Sequence, residues 1–340
     1  MSAADSSTAA GLVDLGSERI GGVALLANDD FFAGKENLLK PGRGVFIPDQ
    51  YTDHGKWMDG WETRRRRTPG HDWCVVQLGL RGVIKTVDID TNHFLGNHPP
   101  FASLDALCLT TEFPRDITAV EGLSWTPILP RSPLNPGAQN LFPITDDHPW
   151  THVRLNIIPD GGVARLRLYG MVVPDWNKLK AGELVDLAAI ENGGVPLACS
   201  DMFFSSMNNL IMPGRSANMG DGWETKRRRG PGNDWIILKL GLPGTLRKIE
   251  VDTNHFKGNY PDMCSIDGCA APGASTDDLT SPETRWDEIL PQTKLEAHTR
   301  HFLERELSPI SDCTHVRLNI YPDGGVSRLR VWGTPARSNE

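Results

Sequence analysis

The chain reads as an all-β protein made of two tandem jelly-roll β-sandwich domains related by internal duplication. Three observations predict this. The segment DGWETRRRR at Asp59 to Arg67 returns as DGWETKRRR at Asp221 to Arg229, inside a much longer matched frame. The apolar segments are short, rich in β-branched residues and separated by Gly- and Pro-containing turns. Helical periodicity is almost absent, and 340 residues suit two domains better than one.

The duplicated frame keeps constant register from the DGWET segment onward, carrying Asp90, His93 and Pro99 onto Asp252, His255 and Pro261. HVRLNIIPDGGVARLRLYG at His152 to Gly170 then matches HVRLNIYPDGGVSRLRVWG at His315 to Gly333, with the register moved by one residue. Upstream, Phe31 and Phe32 match Phe203 and Phe204, and PGR at Pro41 to Arg43 matches Pro213 to Arg215. Copy one therefore carries about ten extra residues near VFIPDQYTDHGKW, in the class of loop that tolerates insertion. Complete blocks repeated in order indicate duplication of a whole domain, not a solenoid of short units.

Within each copy, DWCVVQLGL, GVIKTVDIDTNHF, HVRLNIIPDGG and VARLRLYG are predicted strands, answered by DWIILKLGL and TLRKIEVDTNHF. Val153, Leu155 and Ile157 alternate with Arg154 and Asn156, as on a sheet with one buried face. PDGG between two strands predicts a hairpin turn. Residues 1–22 read as a flexible leader, 23–174 as the first repeat domain and 197–335 as the second. The linker between them, residues 175–196, carries leucines and alanines at helical spacing before a Gly-Gly stop and is predicted to be helical.

Hydrophobic residues at 39% and charged residues at 23% match ordinary globular protein, so disorder is not expected. No apolar run reaches bilayer-spanning length, and the amino terminus lacks the basic start and apolar stretch of a secretory signal, so a cytoplasmic location with no membrane partner is expected. The net charge of -8 argues against nucleic acid as a partner. The six cysteines contain no CxxC pair and read as small reduced core residues. Motifs for serine hydrolases, phosphate-cradling loops and dinucleotide folds are missing.

Two polar motifs carry the chemistry. In extended conformation DGWET and its arginines place Asp59, Trp61, Thr63 and Arg65 on one side and Glu62, Arg64 and Arg66 on the other. Such an array suits a small anionic ligand rich in hydrogen-bonding groups, since Arg clamps a carboxylate and Asp or Glu accepts N–H donors. The same residues could instead form an internal ionic network. The second motif, DTNHFxGN at Asp90 to Asn97 and Asp252 to Asn259, follows an apolar strand and offers Asn92, His93 and Asn97. Amides and an imidazole can hold ureido groups and move a proton near neutrality. Asp90, His93, Asp252 and His255 are weak candidate ligands for a manganese-like divalent metal, although the sequence requires no cofactor.

Taken together, the pairs DGWETRRRR and DGWETKRRR, PGHDWCVVQLG and PGNDWIILKLG, DTNHFLGNHP and DTNHFKGNYP, and the two HVRLNI segments resemble the allantoicase family over nearly the whole chain. The resemblance implies galactose-binding-like jelly rolls and the hydrolysis of allantoate to ureidoglycolate and urea in purine catabolism, a reaction on C–N bonds of linear amidines. It implies catalytic roles for Glu62, His93, Glu224 and His255. Substrate would be bound by Asp59, Trp61, Arg64, Arg65, Arg66 and Asn92, and in copy two by Asp221, Trp223, Arg227 and Asn254. A homo-oligomer is expected from sandwich edges. Rival readings are a tandem carbohydrate-binding module with Trp61 and Trp223 as sugar platforms, and an assembly protein using the Arg–Glu motif as an interface. The copies differ where His71 faces Asn233, His98 faces Tyr260 and Gln77 faces Lys239, and the loop with Asp49, Asp53 and His54 exists only once.

Overall fold

A computed structural model describes residues 11–336 apart from Ala181 and Pro309. It divides into two compact units, Met1–Val173 and Pro174–Glu340. Each is a β-sandwich, and the only α-helices among the described residues are the five-residue turns Ile117–Glu121 and Thr276–Thr280.

The organising element of the first unit is the long strand Asp72–Asp90. Its first half pairs with Trp150–Ile158 and Val23–Ala27, and its second half pairs with Arg165–Val172 and Leu141–Pro143. Phe101–Leu107 and Thr126–Pro133 extend the first layer, and Val13–Asp14 extends the second. DWCVVQLGL and GVIKTVDID are thus one strand passing between layers, not two. Glycine allows the passage, because a Cβ on Gly79 would lie 2.4 Å from the Ile20 carbonyl oxygen. The second unit repeats the scheme around Asp234–Asp252.

The alternation seen in the sequence sets the core. Val153, Leu155 and Ile157 are fully buried, as are Val87 and Ile89 in the second half of the long strand. The intervening polar face is also covered: Arg154 Nη2 and Asn156 Nδ2 both donate to Asp105 Oδ2, at 2.7 and 2.9 Å.

Three sequence expectations are corrected. The helical linker does not form. Val185–Asp186 is instead an edge strand paired with Arg328–Pro335, followed by a 3-10 turn at Ile190–Asn192. VDLAAIENGG there is the counterpart of VDLGSERIGG at Val13 to Gly22, and Leu187 and Leu15 are wholly buried in their sandwiches. The leucine–alanine spacing serves a strand end and a turn, and Asp186 Oδ1 ties it to the sheet by accepting the Val331 N–H at 2.8 Å. For the same reason residues 13–22 are not a leader, while residues 1–10 lie outside the described residues. PDGG is not a hairpin either. Gly162–Val163 pairs with Trp61–Glu62, and the strands on either side enter different layers. Its glycine answers to packing, since a Cβ on Gly162 would sit 2.1 Å from the Phe94 ring.

Buried histidines give the fold a pH dependence. His315 is 2% exposed, with Nδ1 2.8 Å from Thr314 Oγ1, and burial assisted by Lys239 pushes its pKa down to about 4. The unfolded chain takes up that proton near the ordinary value of 6.5, so the contribution is complete above 6.5 and falls as pH drops from there toward 4. Asp88 and Asp186, each pushed up to about 6 by burial, act in the opposite sense over the lower part of that range. We expect H315Q to flatten the acid loss of unfolding free energy by on the order of 2 kcal/mol between pH 7 and 4.5. Denaturant melts across that range check it, and parallel curves for both proteins would contradict it.

Candidate functional site

In each unit the DGWET strand end and the loop after the long strand meet at one edge of the sandwich. Phe94 is fully buried under Gly162 and anchors the loop, which leaves the neighbouring His93 exposed. His93 has φ 68 and His255 φ 69, left-handed conformations uncommon for residues other than glycine. Both copies thus hold a histidine in a strained position beside the same polar residues.

Asn97 Nδ2 donates to Glu62 Oε1 at 2.7 Å and orients that carboxylate. Burial raises the Glu62 pKa, and the Asn97 bond only partly offsets it. Glu62, Asn97 and His93 line a cleft of about 520 Å³ in the first repeat. Its other wall comes from the copy-one insertion, which folds as the hairpin Tyr51–Thr52 and Gly55–Lys56 and contributes Phe46, His54, Lys56 and Met58. His54 stacks on Phe31 with centroids 4.1 Å apart, and Lys56 Nζ lies 4.5 Å over the Phe46 ring. The insertion is anchored beneath the cleft, where Val45 N donates to Asp59 Oδ2 and Asn92 Nδ2 donates to the Gly44 carbonyl, at 2.9 and 2.8 Å.

In the second repeat Asn259 Nδ2 likewise donates to Glu224 Oε1. Their cleft, about 570 Å³, opens to the other side of the glutamate and is lined by Arg227, Tyr260, Asp262 and Asp323. The shorter loop from Arg215 to Gly220 accounts for the difference. The Ser216 carbonyl engages His255 Nε2 at 2.9 Å, His298 Nδ1 accepts the His255 N–H at 2.8 Å, and Met219 Sδ lies 4.0 Å from Asn259 Nδ2. His255 is not among the residues lining that cleft.

Several residues singled out in the sequence are struts. Trp61 and Trp223 are 0% exposed, and their indole N–H groups donate to the Asp29 and Asp201 carbonyls, so neither is a ligand platform. Asp59 is buried against Arg165, Nη2 to Oδ2 2.6 Å, and Asp221 pairs with Arg328 at 3.0 Å. Arg66 holds Asp72 at 2.8 Å, and Arg64 holds Asp29 at 2.6 Å. The Asn92 and Asn254 amides are taken up by Gly44 and Ser216. Arg65 and Arg227 are exposed; Arg227 lines the second-repeat cleft, whereas Arg65 is not among the residues lining the first. The candidate metal ligands do not converge: Asp90 is held at both oxygens by Arg43, Asp252 accepts Asn254 N–H beside Arg215, and no group of three His, Cys, Asp or Glu suited to an ion occurs among the described residues. Sequence reasoning missed Lys56, whose only signal was its place in the segment without a counterpart.

A tandem jelly roll with an amide-oriented carboxylate at the same sandwich edge in both repeats defines a duplicated β-sandwich protein with a polar-lined cleft in each half. The family described as Allantoicase repeat matches residues 13–173 and 185–336. A probable allantoicase 1 of Burkholderia mallei is 51% identical over 322 residues, covering 95% of this chain and 94% of the relative. An allantoicase of Dictyostelium discoideum is 51% identical over 319 residues, covering 94% and 86%. A crystal structure of allantoicase from Saccharomyces cerevisiae superposes with TM-score 0.81 at 36% identity, covering 98% of each chain. This chain belongs to the allantoicase family. No helix among the described residues is long and apolar enough to cross a membrane.

Proposed function

We propose that the chain hydrolyses allantoate to ureidoglycolate and urea, and that the first-repeat cleft performs the reaction. The observation that carries this reading is the shared cleft of a desolvated, Asn97-oriented Glu62 and the exposed His93 in a member of this family. Allantoate has one carbon bearing a carboxylate and two ureido groups. Lys56, without an ion-pair partner among the described residues, is the cation of this cleft and takes the carboxylate in place of the arginines.

Glu62 then acts as the base. It accepts a proton from water as the water oxygen bonds to the central carbon. The carbon–nitrogen bond to one ureido group breaks, and His93 donates a proton to the departing nitrogen, so urea leaves neutral. Burial makes the Glu62 carboxylate a stronger base than one in water, and its bond to Asn97 fixes its direction. The sandwich edges suit a homo-oligomer.

Comparing the two histidines tests the assignment. H93Q should lower kcat for urea release from allantoate by about 10²- to 10⁴-fold, the usual worth of a positioned acid or base. H255Q, whose imidazole engages Ser216, should cost less than about tenfold by the same scale. Equal losses in both would move the chemistry out of the first repeat.

A further inference from the structure

The second-repeat cleft shares the oriented glutamate of the first one but opens to its other side, away from the imidazole. Glu224 is oriented by Asn259 as Glu62 is by Asn97. Phe204 lines its wall where Phe32 lines the first, and the volumes, about 570 and 520 Å³, are similar. The His255 imidazole engages the Ser216 carbonyl instead, and no histidine is among the residues lining this cleft. Tyr260, in the place of His98, adds a phenol.

We propose that this cleft is a second, non-hydrolytic site that binds a small ureido-carboxylate. The proposal rests on the allantoate reading for its ligand class. Arg227 is exposed, lines the cleft and makes no hydrogen bond or ion pair with any described residue, so its guanidinium is available for a carboxylate. Glu224 accepts the ureido N–H groups and the Tyr260 hydroxyl meets the carbonyl. Asp262 is paired with Lys294, whereas Asp323 accepts the Arg228 N–H and keeps its charge, so the Arg227 guanidinium must offset it as the anion binds. Without an imidazole to protonate the departing nitrogen, a bound ureido group stays intact.

The test is equilibrium dialysis of the full chain with labelled N-carbamoylglycine, a ureido-carboxylate that offers no second ureido group to expel. The expected result is two molecules bound per chain, one after R227A, one after K56A and none in the double variant. One molecule or none per wild-type chain, or R227A still binding two, would overturn the proposal. Urea release from allantoate is followed on the same preparations. Wild-type protein that releases no urea fails the functional reading itself, whereas urea release with single-site binding fails this inference alone.

Discussion

E62Q should lower kcat for urea release by about 10²- to 10⁴-fold, because the substitution removes the only proton acceptor in the first-repeat cleft that is both oriented and desolvated. Glutamine keeps the size of the side chain and can still meet the Asn97 amide, so folding and substrate binding should change little. The pH profile gives an independent sign. Burial raises the Glu62 carboxyl above its ordinary 4.5, so the wild-type rate should fall on acidification at a pH above that value, as the base becomes protonated. In E62Q that acid limb should disappear. A variant that loses affinity but keeps kcat and the acid limb would show Glu62 to be a binding group only.

D59A should destabilise the first repeat by about 3–5 kcal/mol, with a melting point lower by about 10 °C. Arg165 is 3% exposed and Asp59 8% exposed, so deleting the carboxylate leaves a buried guanidinium without its partner. The same deletion releases Val45 N and with it the start of the insertion that carries His54 and Lys56. Activity should therefore fall further than folding alone explains at temperatures where the variant is folded. Burial alone would raise the Asp59 carboxyl, but the bonds from Arg165 and Val45 outweigh it and hold it below its ordinary 3.8. This pair's contribution is accordingly present above pH 3.8 and lost as pH falls through the lower folded value. Calorimetry checks the size, and a melting point within about 1 °C of wild type would contradict the strut role.

Strands were legible because one-sided burial writes itself as alternation, as in Val153, Leu155 and Ile157. The duplication was legible because matched blocks keep their polar residues too. That same retention misled the reading of function. Asp59, Trp61, Arg66 and Asn92 are duplicated as strictly as Glu62, yet each is bonded within the fold, and a sequence shows identity without showing burial. The linker was misread because a Leu-Ala-Ile pattern ending in Gly-Gly fits a helix as well as an edge strand and a 3-10 turn. Only its pairing with Arg328–Pro335 distinguishes them. Lys56 was hidden for the opposite reason, since it lies in the one segment the duplication does not cover, although the insertion itself had been marked as a difference between the copies.

Confinement of the hydrolysis to one repeat of the two is open to a side-by-side comparison. Urea and ureidoglycolate released from allantoate by wild-type, E62Q and E224Q proteins, measured side by side, test it most directly. The expected result is one urea per ureidoglycolate in the wild type, a loss of at least about 10²-fold in E62Q and a loss under about tenfold in E224Q. No urea from the wild type, or an equally deep loss in E224Q, would contradict it.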